Sequence, residues 1–221
     1  MSATSIKICG VKDADTLLAT ANAGATHVGF NFVRSSPRFI PVQKAKGIAG
    51  LAPSSLARVA LFANALDHEF EDVVRAIRPQ FFQLHGAENP ERVAFVRKRF
   101  GVPVIKAIAV AAADDVRDGI KKYGDVADEF LFDTKSPDGQ SGGTGRTFDW
   151  SLLAGAQIPK PWMLSGGLTP KNVAEAIRVS GARGVDVSSG VEVERGVKDT
   201  NLIAAFVKAA KAALNGESQA A

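Results

Sequence analysis

Eight short apolar runs recur along the 221-residue chain, and this repetition constrains its fold more than any other feature. The starts of successive runs are 21 to 32 residues apart, which leaves room for a helix after each run. The runs begin at Ile6, His27, Arg58, Phe81, Val104, Phe130, Trp162 and Gly184. Apolar strands that alternate with helical segments of this length are typical of βαβ units on a parallel sheet.

The intervals contain helix-like patterns, several with start signals. Asp13, Asn89 and Asp199 precede apolar positions at helical spacing, and Pro90 follows Asn89 as a first helical residue. Thr169 is expected to cap a further helix, with Pro170 at its first position. Eight such units predict a single-domain α/β fold, a (β/α)8 barrel over residues 1–215, with a flexible tail at 216–221. A doubly wound open sheet is the alternative, but no GxGxxG follows the first strand.

Composition excludes several classes of protein. The single cysteine rules out an internal disulfide and suits the reducing cytoplasm, and we found neither a signal peptide nor a spanning apolar run. A net charge of +4 without basic runs favours a small anionic molecule over nucleic acid as the partner. Three scattered histidines argue against a zinc site. We expect no membrane contact and no cofactor, and either a monomer or a homodimer.

Two glycine–serine segments follow the last two predicted strands. Glycines let backbone N–H groups approach an anion closely, and phosphate sites in (β/α)8 barrels are often built from the loops after strands 7 and 8. The pair therefore predicts a phosphate site, although each segment alone is also compatible with a tight strand-to-helix turn. The candidate residues are Gly166, Gly167, Ser188, Ser189 and Gly190.

Ionisable residues lie at the ends of three strands, where active sites of such barrels collect. Strand alternation turns Cys9, Asp133 and Asp186 toward the barrel interior, because their apolar neighbours belong on the helix side. For each there is a simpler interpretation, since a lone cysteine is usually a buried hydrophobe and a strand-end aspartate often ties a loop.

Other polar residues leave more than one interpretation open. His85 is compatible with a structural or a catalytic role. Lys7, Lys106 and Lys135 fit salt bridges, or one of them fits the Schiff-base lysine of an aldolase-like site. Arg38 follows a stiffening proline and is suited to grip a carboxylate, or it is a solvated charge. The glycine-rich stretch from Ser136 to Thr147 suggests a lid, or surface disorder.

Taken together, the strand-end segments resemble the phosphoribosylanthranilate isomerase family of tryptophan biosynthesis. The resemblance covers the chain from Ile6 to about Phe206. It is carried by these segments: KICG from Lys7, SPR from Ser36, QLHG from Gln83, LFDTK from Leu131, GGTG from Gly142, LSGGL from Leu164 and VDVSSGVE from Val185.

The resemblance implies an Amadori rearrangement of an N-(5-phosphoribosyl)anthranilate to a 1-deoxyribulose 5-phosphate derivative, with neither redox cofactor nor metal. It implies that Asp133 is the general acid, that Cys9 is the general base, and that adjacent Lys7 or a bound iminium favours the thiolate. Arg38 would bind the anthranilate carboxylate and Asp186 would bind ribose hydroxyls or the anthranilate nitrogen. Gly145 would join the phosphate site.

Two other classes stay open. One is another phosphosugar barrel enzyme, such as indole-3-glycerol-phosphate synthase, an epimerase or a lysine-dependent aldolase. The other is a catalytically silent barrel that binds a phosphate as a sensor or assembly partner.

Overall fold

The computed structural model describes residues 4–135 and 147–217, and in it eight parallel strands close into a barrel in sequence order. The strands are β1 (Ser5–Cys9), β2 (His27–Asn31), β3 (Ala57–Phe62), β4 (Phe81–Leu84), β5 (Val104–Val110), β6 (Glu129–Thr134), β7 (Trp162–Leu164) and β8 (Gly184–Val187). Each predicted start agrees with the structure to within one residue. Strand β8 pairs with β1, with Lys7 beside Asp186, so the predicted barrel is confirmed and the open sheet is wrong.

Seven α-helices in the described ranges surround the barrel. They are α1 (Ala14–Ala23), α2 (Val42–Ala49), α3 (Asp67–Ile77), α4 (Pro90–Phe100), α5 (Ala113–Tyr123), α6 (Val173–Ser180) and α7 (Thr200–Glu217). The predicted caps of α1 and α4 are confirmed, because Asp13 accepts from Thr16 N and Asn89 accepts from Arg92 N, both at 2.8 Å. Helix α7 runs two residues into the predicted tail, and residues 218–221 lie outside the described ranges.

Two predicted helices differ from the structure. Helix α6 begins at Val173 and not at Pro170, because Asn172 organises a turn ahead of it. The Asn172 side chain accepts from Thr169 N at 2.7 Å and donates to Gly167 O at 3.1 Å. Between β6 and β7 the described residues contain only a 3-10 helix, Trp150–Leu153, where the sequence suggested an α-helical pattern.

Strand alternation separates two apolar layers. Most buried strand residues, such as Ile8, Phe82 and Phe132, face the helices in one large core. Their alternating neighbours point into the barrel, where a small separate cluster fills the interior. This cluster consists of Val59, Ile105, Leu131 and Met163. Polar side chains such as Gln83, Asp133 and Asp186 line the barrel nearer the carboxyl ends of the strands.

After β8 the chain forms a 3-10 helix, Ser189–Val191, and then a short antiparallel hairpin. Its strands are β9 (Glu192–Glu194) and β10 (Val197–Lys198), and Gly196 turns between them with a φ of 86°. The hairpin carries charged residues back toward the loop after β2. Over residues 4–135 and 147–217, no helix is long and apolar enough to cross a membrane.

Candidate active site

A cavity of about 640 Å³ opens at the carboxyl ends of the strands, a size typical of small-molecule sites. The structure brings four sequence-predicted residues to its wall, Cys9, Arg38, Asp133 and Asp186. These residues come from β1, the loop after β2, β6 and β8. The predicted inward orientation of Cys9, Asp133 and Asp186 is therefore confirmed, and Ser188 also contacts the cavity.

A buried ion pair forms the floor below Cys9. Lys7 Nζ lies 2.8 Å from Asp186 Oδ1, and both side chains are almost inaccessible to solvent. Ser165 donates from its hydroxyl to the other Asp186 oxygen at 3.2 Å. Burial lowers the pKa of Lys7, but Asp186 and Cys9 together more than offset burial and raise that pKa, so the lysine stays charged. Asp186 is thereby held in one orientation, with a lone pair on each oxygen still available to a ligand.

The Cys9 thiol is buried beside this pair. Burial raises its pKa above the ordinary value, Lys7 and Lys198 oppose that rise, and Asp186 adds to it. Lys7 acts in the expected direction, because it lowers the pKa of Cys9, but burial outweighs it in the free protein. Gly29 provides the space for this side chain, since a Cβ there would lie 2.9 Å from Cys9 Sγ.

Asp133 faces the cavity from the end of β6, and both of its oxygens have partners. Thr134 N donates to Oδ1 at 2.8 Å. His85 Nε2 lies 3.2 Å from Oδ2. His85 therefore belongs to this cluster, which the sequence left undecided.

Arg38 is held from the side by the hairpin after β8. Its Nε and Nη2 donate to the two oxygens of Glu192 at 2.7 and 2.8 Å. Lys198 Nζ contacts the same carboxylate at 2.8 Å and also donates to Ser188 O at 2.8 Å. In the described residues, Nη1 of Arg38 makes no hydrogen bond to protein, so the Nη1–Nη2 edge is available to a bidentate carboxylate.

The Glu192 carboxylate makes stability depend on pH. Burial raises its pKa, but hydrogen bonds from Arg38, Lys198 and Gly196 N outweigh burial and lower it to about 2. An unfolded chain binds a proton at this position near pH 4.5, whereas the folded chain does so only near pH 2. The stabilisation is therefore complete above about pH 5 and is lost as pH falls toward 2.

We expect Glu192→Gln to be less stable than the parent at pH 7 by up to roughly 3 kcal/mol, at about 1.4 kcal/mol per pKa unit. That difference should shrink to less than about half by pH 3, because at that pH the unfolded parent chain has bound a proton at Glu192 and the folded chain mostly has not. Urea unfolding at pH 7, 5 and 3 measures it. Glu194→Gln, two residues away and exposed, is the control and should show no such pH-dependent difference. A pH-independent difference for Glu192→Gln would contradict the assignment.

The two glycine–serine loops lie directly against each other. A Cβ at Gly190 would overlap the carbonyl oxygen of Leu168, and Gly166 and Gly167 have φ values of 88° and 63° that favour glycine. Within the described residues, the N–H groups of Gly166, Gly167, Ser189 and Gly190 donate to no protein acceptor. Adjacent free donors of this kind are what an anion requires. Gly145 lies outside the described residues, as do residues 136–146 of the suggested lid from Ser136 to Thr147.

The three candidate lysines are all in ion pairs. Lys7 pairs with Asp186, Lys106 with Glu88 at 3.0 Å, and Lys135 with Asp115 at 3.1 Å. Lys106 lies on the helix side of β5, between Ile105 and Ala107 of the barrel interior, and does not reach the cavity. Its suggested use as a Schiff-base lysine is therefore wrong.

Sequence reasoning assigned no role to four polar residues that the structure brings to the site. They are Gln83, Ser165, Glu192 and Lys198. Strand alternation predicts that Gln83 points inward, since it lies between two core residues, Phe82 and Leu84. Glu192 and Arg38 are 154 residues apart in the sequence. Helix and strand periodicities extend over only a few residues, so they cannot predict this contact.

A buried thiol and a carboxyl group that open on one cavity can move protons on a small molecule, and the arginine and glycine loops suit its anionic ends. The fold and the site thus define a class, the acid–base enzymes built on a (β/α)8 barrel. Comparison with known proteins narrows the class. The family model for N-(5'-phosphoribosyl)anthranilate isomerase matches residues 6–209, and the chain belongs to that family.

Relatives and solved structures agree with this placement. The N-(5'-phosphoribosyl)anthranilate isomerase of Rhodopseudomonas palustris is 49% identical over 94% of this chain and 95% of its own length. That of Rhodospirillum rubrum is 48% identical over 96% and 99%. The crystal structure of phosphoribosyl anthranilate isomerase from Thermotoga maritima has a TM-score of 0.85 at 38% identity, covering 95% of this chain and 99% of its own. Another solved structure of the enzyme, in complex with reduced 1-(o-carboxyphenylamino)-1-deoxyribulose 5-phosphate, has a TM-score of 0.83 at 34% identity, with the same coverage.

Proposed function

We propose that this chain converts N-(5'-phosphoribosyl)anthranilate into 1-(2-carboxyphenylamino)-1-deoxyribulose 5-phosphate by general acid and base catalysis. The observation that carries the proposal is the placement of Cys9 and Asp133 on one cavity, in a chain of this family. The two strands that bear them lie three apart around the barrel. An acid and a base can therefore act on different atoms of one substrate.

Asp133 acts first, as the acid. Its O–H gives a proton to the ribose ring oxygen, the bond from C1 to that oxygen breaks, and the anthranilate nitrogen forms a protonated imine with C1. Thr134 N–H remains in place to stabilise the carboxylate left behind. The substrate covers Asp133 and excludes water, which favours the protonated acid before transfer.

Cys9 acts second, as the base. The iminium charge next to C2 acidifies the C2 proton and favours a thiolate in a site where burial alone disfavours one. Cys9 takes that proton and an enolamine forms. The enolamine becomes the ketone when C1 gains a proton and the C2 hydroxyl loses its own, so the reaction relocates protons without a change in composition.

The two anionic ends of the substrate orient it between these groups. The free edge of Arg38 receives the anthranilate carboxylate. The phosphate accepts hydrogen bonds from the backbone N–H groups of Gly166, Gly167, Ser189 and Gly190. Ser188 and Gly145 belong to the same phosphate site. Asp186, fixed by Lys7 and Ser165, accepts from a ribose hydroxyl or from the anthranilate nitrogen.

Replacement of Arg38 tests the carboxylate site. We expect Arg38→Ala to raise KM about 10- to 100-fold with kcat within about threefold, because the arginine binds a group that does not change during the reaction. Arg34→Ala is the control, since Arg34 is exposed in the same loop and does not contact the cavity. Circular dichroism establishes that both variants fold. A large fall in kcat at unchanged KM would contradict a purely binding role.

Anthranilate fluorescence provides the first test of the activity itself. Anthranilate and phosphoribosyl pyrophosphate generate the substrate in place when the preceding transferase is added, and the isomerase then consumes it. We expect a fluorescence loss beyond that of the transferase alone. If folded protein causes none, the proposed function fails.

Reduction with borohydride distinguishes the isomerase from the main alternative, a lysine-dependent aldolase. A lysine-dependent aldolase would leave a protein-bound adduct after reduction with substrate, whereas the isomerase leaves none. Indole-3-glycerol-phosphate synthase and epimerase activities are tested by product analysis in the same mixture. A silent phosphate-binding barrel would bind ligand without turnover.

The proposal also covers the location of the protein in the cell and its oligomeric state. A cytoplasmic location suits a mechanism that needs Cys9 reduced. A monomer and a homodimer are both compatible with a cavity whose described residues all come from one chain.

A further inference from the structure

Among the described residues of the cavity wall, Gln83 is a polar side chain with 0% exposure that the proposed function leaves without a role. It points into the barrel from β4, and its Nε2 lies 2.9 Å from His85 Nδ1. Its Oε1 is buried without a hydrogen-bond partner in the described structure. A buried unpaired amide oxygen is costly, so this side chain is held here against that cost.

The Gln83 amide lies against one ring nitrogen of His85. With its NH2 group turned to Nδ1, as in the structure, the amide donates and Nδ1 accepts. The ring proton then resides on Nε2, which lies 3.2 Å from Asp133 Oδ2. Gln83, His85 and Asp133 form a directed series in which each donates to the next.

The backbone around His85 is fastened as well. Lys106 Nζ donates to Leu84 O at 3.0 Å and to Gly86 O at 2.9 Å, the carbonyls on either side of His85. Glu88 pairs with Lys106 and accepts from Gly86 N at 3.0 Å. The ring is therefore fixed in position from both sides, and only 12% of the side chain is exposed.

We propose that His85 is a positioning residue for the acid Asp133, held by Gln83 as the tautomer that carries its proton on Nε2. The inference deepens the proposed function and rests on it. When the Asp133 O–H has given its proton to the ring oxygen, the carboxylate left behind accepts from His85 Nε2–H. No proton leaves His85 in this step. The histidine therefore stabilises the negative charge of the Asp133 carboxylate without acting as an acid itself.

Nuclear magnetic resonance of the ring nitrogens tests the tautomer without reference to activity. The chain has three histidines, so protein labelled with ¹⁵N-histidine gives three ring systems, and His85→Gln identifies the one that belongs to residue 85. We expect an unprotonated Nδ1 and a protonated Nε2 at the pH of the assay. In Gln83→Glu the new carboxylate can accept from Nδ1, so the proton should move there. A proton on Nδ1 of the parent protein would overturn the inference.

Steady-state kinetics test the effect on Asp133. His85→Leu removes the donor at similar volume, and His85→Gln keeps an N–H group within reach of Asp133. We expect kcat to fall by about tenfold or more in His85→Leu, the loss typical of a hydrogen bond to a charged group, with KM within about twofold. His85→Gln should retain kcat within about threefold of the parent.

The results of these experiments distinguish a failure of the inference about His85 from a failure of the proposed function. Equal losses in His85→Leu and His85→Gln would overturn the donor role, as would a change confined to KM. An inactive parent protein would instead reject the proposed function, whatever the tautomer of His85.

Discussion

Replacement of Cys9 by alanine is expected to lower kcat by at least about 10²-fold, the usual scale for the loss of a general base, with little change in KM. The thiol lines the cavity but binds neither anionic end of the substrate in the proposed arrangement. Its removal therefore affects the proton transfer from C2 more than binding. Anthranilate fluorescence measures both constants.

The state of the thiol in the free protein gives a second measurement. Burial raises the pKa of Cys9 above its ordinary value, so the charged thiolate is the minor form at neutral pH and increases as pH rises. Because Cys9 is the only cysteine, the mass gained with iodoacetamide reports on it alone. We expect the alkylation rate to rise steadily from pH 7 to above pH 9.

Cys9→Ser is the matched variant, since it keeps the size and a hydrogen-bonding group but offers a far weaker base. It should be about as inactive as Cys9→Ala and resist alkylation. If either variant retains kcat within about tenfold of the parent, Cys9 is not the base. An alkylation rate that reaches its plateau below pH 8 would contradict the effect of burial.

Asp133→Asn is expected to lower kcat by at least about 10²-fold, again at nearly constant KM. An amide keeps an oxygen that can accept from Thr134 N, but it has no acidic proton to give to the ribose ring oxygen. The binding groups for both anionic ends remain intact. The loss should therefore appear in the ring-opening step.

Asp114→Asn on α5 is the control, because Asp114 is an exposed carboxylate paired only with Arg117 in the described structure. It should leave both kinetic constants unchanged. A substrate analogue that already has an open chain would bypass the acid step, and Asp133→Asn should bind it as tightly as the parent does. Weak binding of that analogue would indicate that Asp133 positions the substrate and is not only an acid.

The fold could be predicted because it depends on local signals repeated along the chain. Each strand is a short apolar run, and caps such as Asp13 and Asn89 act within one helical turn. The errors fall where longer contacts compete with local rules. Helix α6 starts late because Asn172 bonds back to Thr169 and Gly167, an arrangement that the Thr169–Pro170 signal does not report.

The inward-pointing site residues could be predicted for the same reason, since strand alternation is a local rule. Lys106 shows the limit of that success. The sequence presented it as a candidate nucleophile, but it points to the helix side and binds Glu88 and two carbonyls around His85. Strand alternation predicts that side, because Lys106 lies between the inward-facing Ile105 and Ala107.

The sequence by itself determined the barrel and which strand-end side chains face its interior, because periodicity and caps act over a few residues. Only the tertiary structure decided how those side chains interact. Glu192 reaches Arg38 from 154 residues away, and Gln83 contacts a histidine that lies beside Asp133 of another strand. Closure of the barrel creates these contacts and buries Cys9 as well, so the charge state of the site follows from the packing.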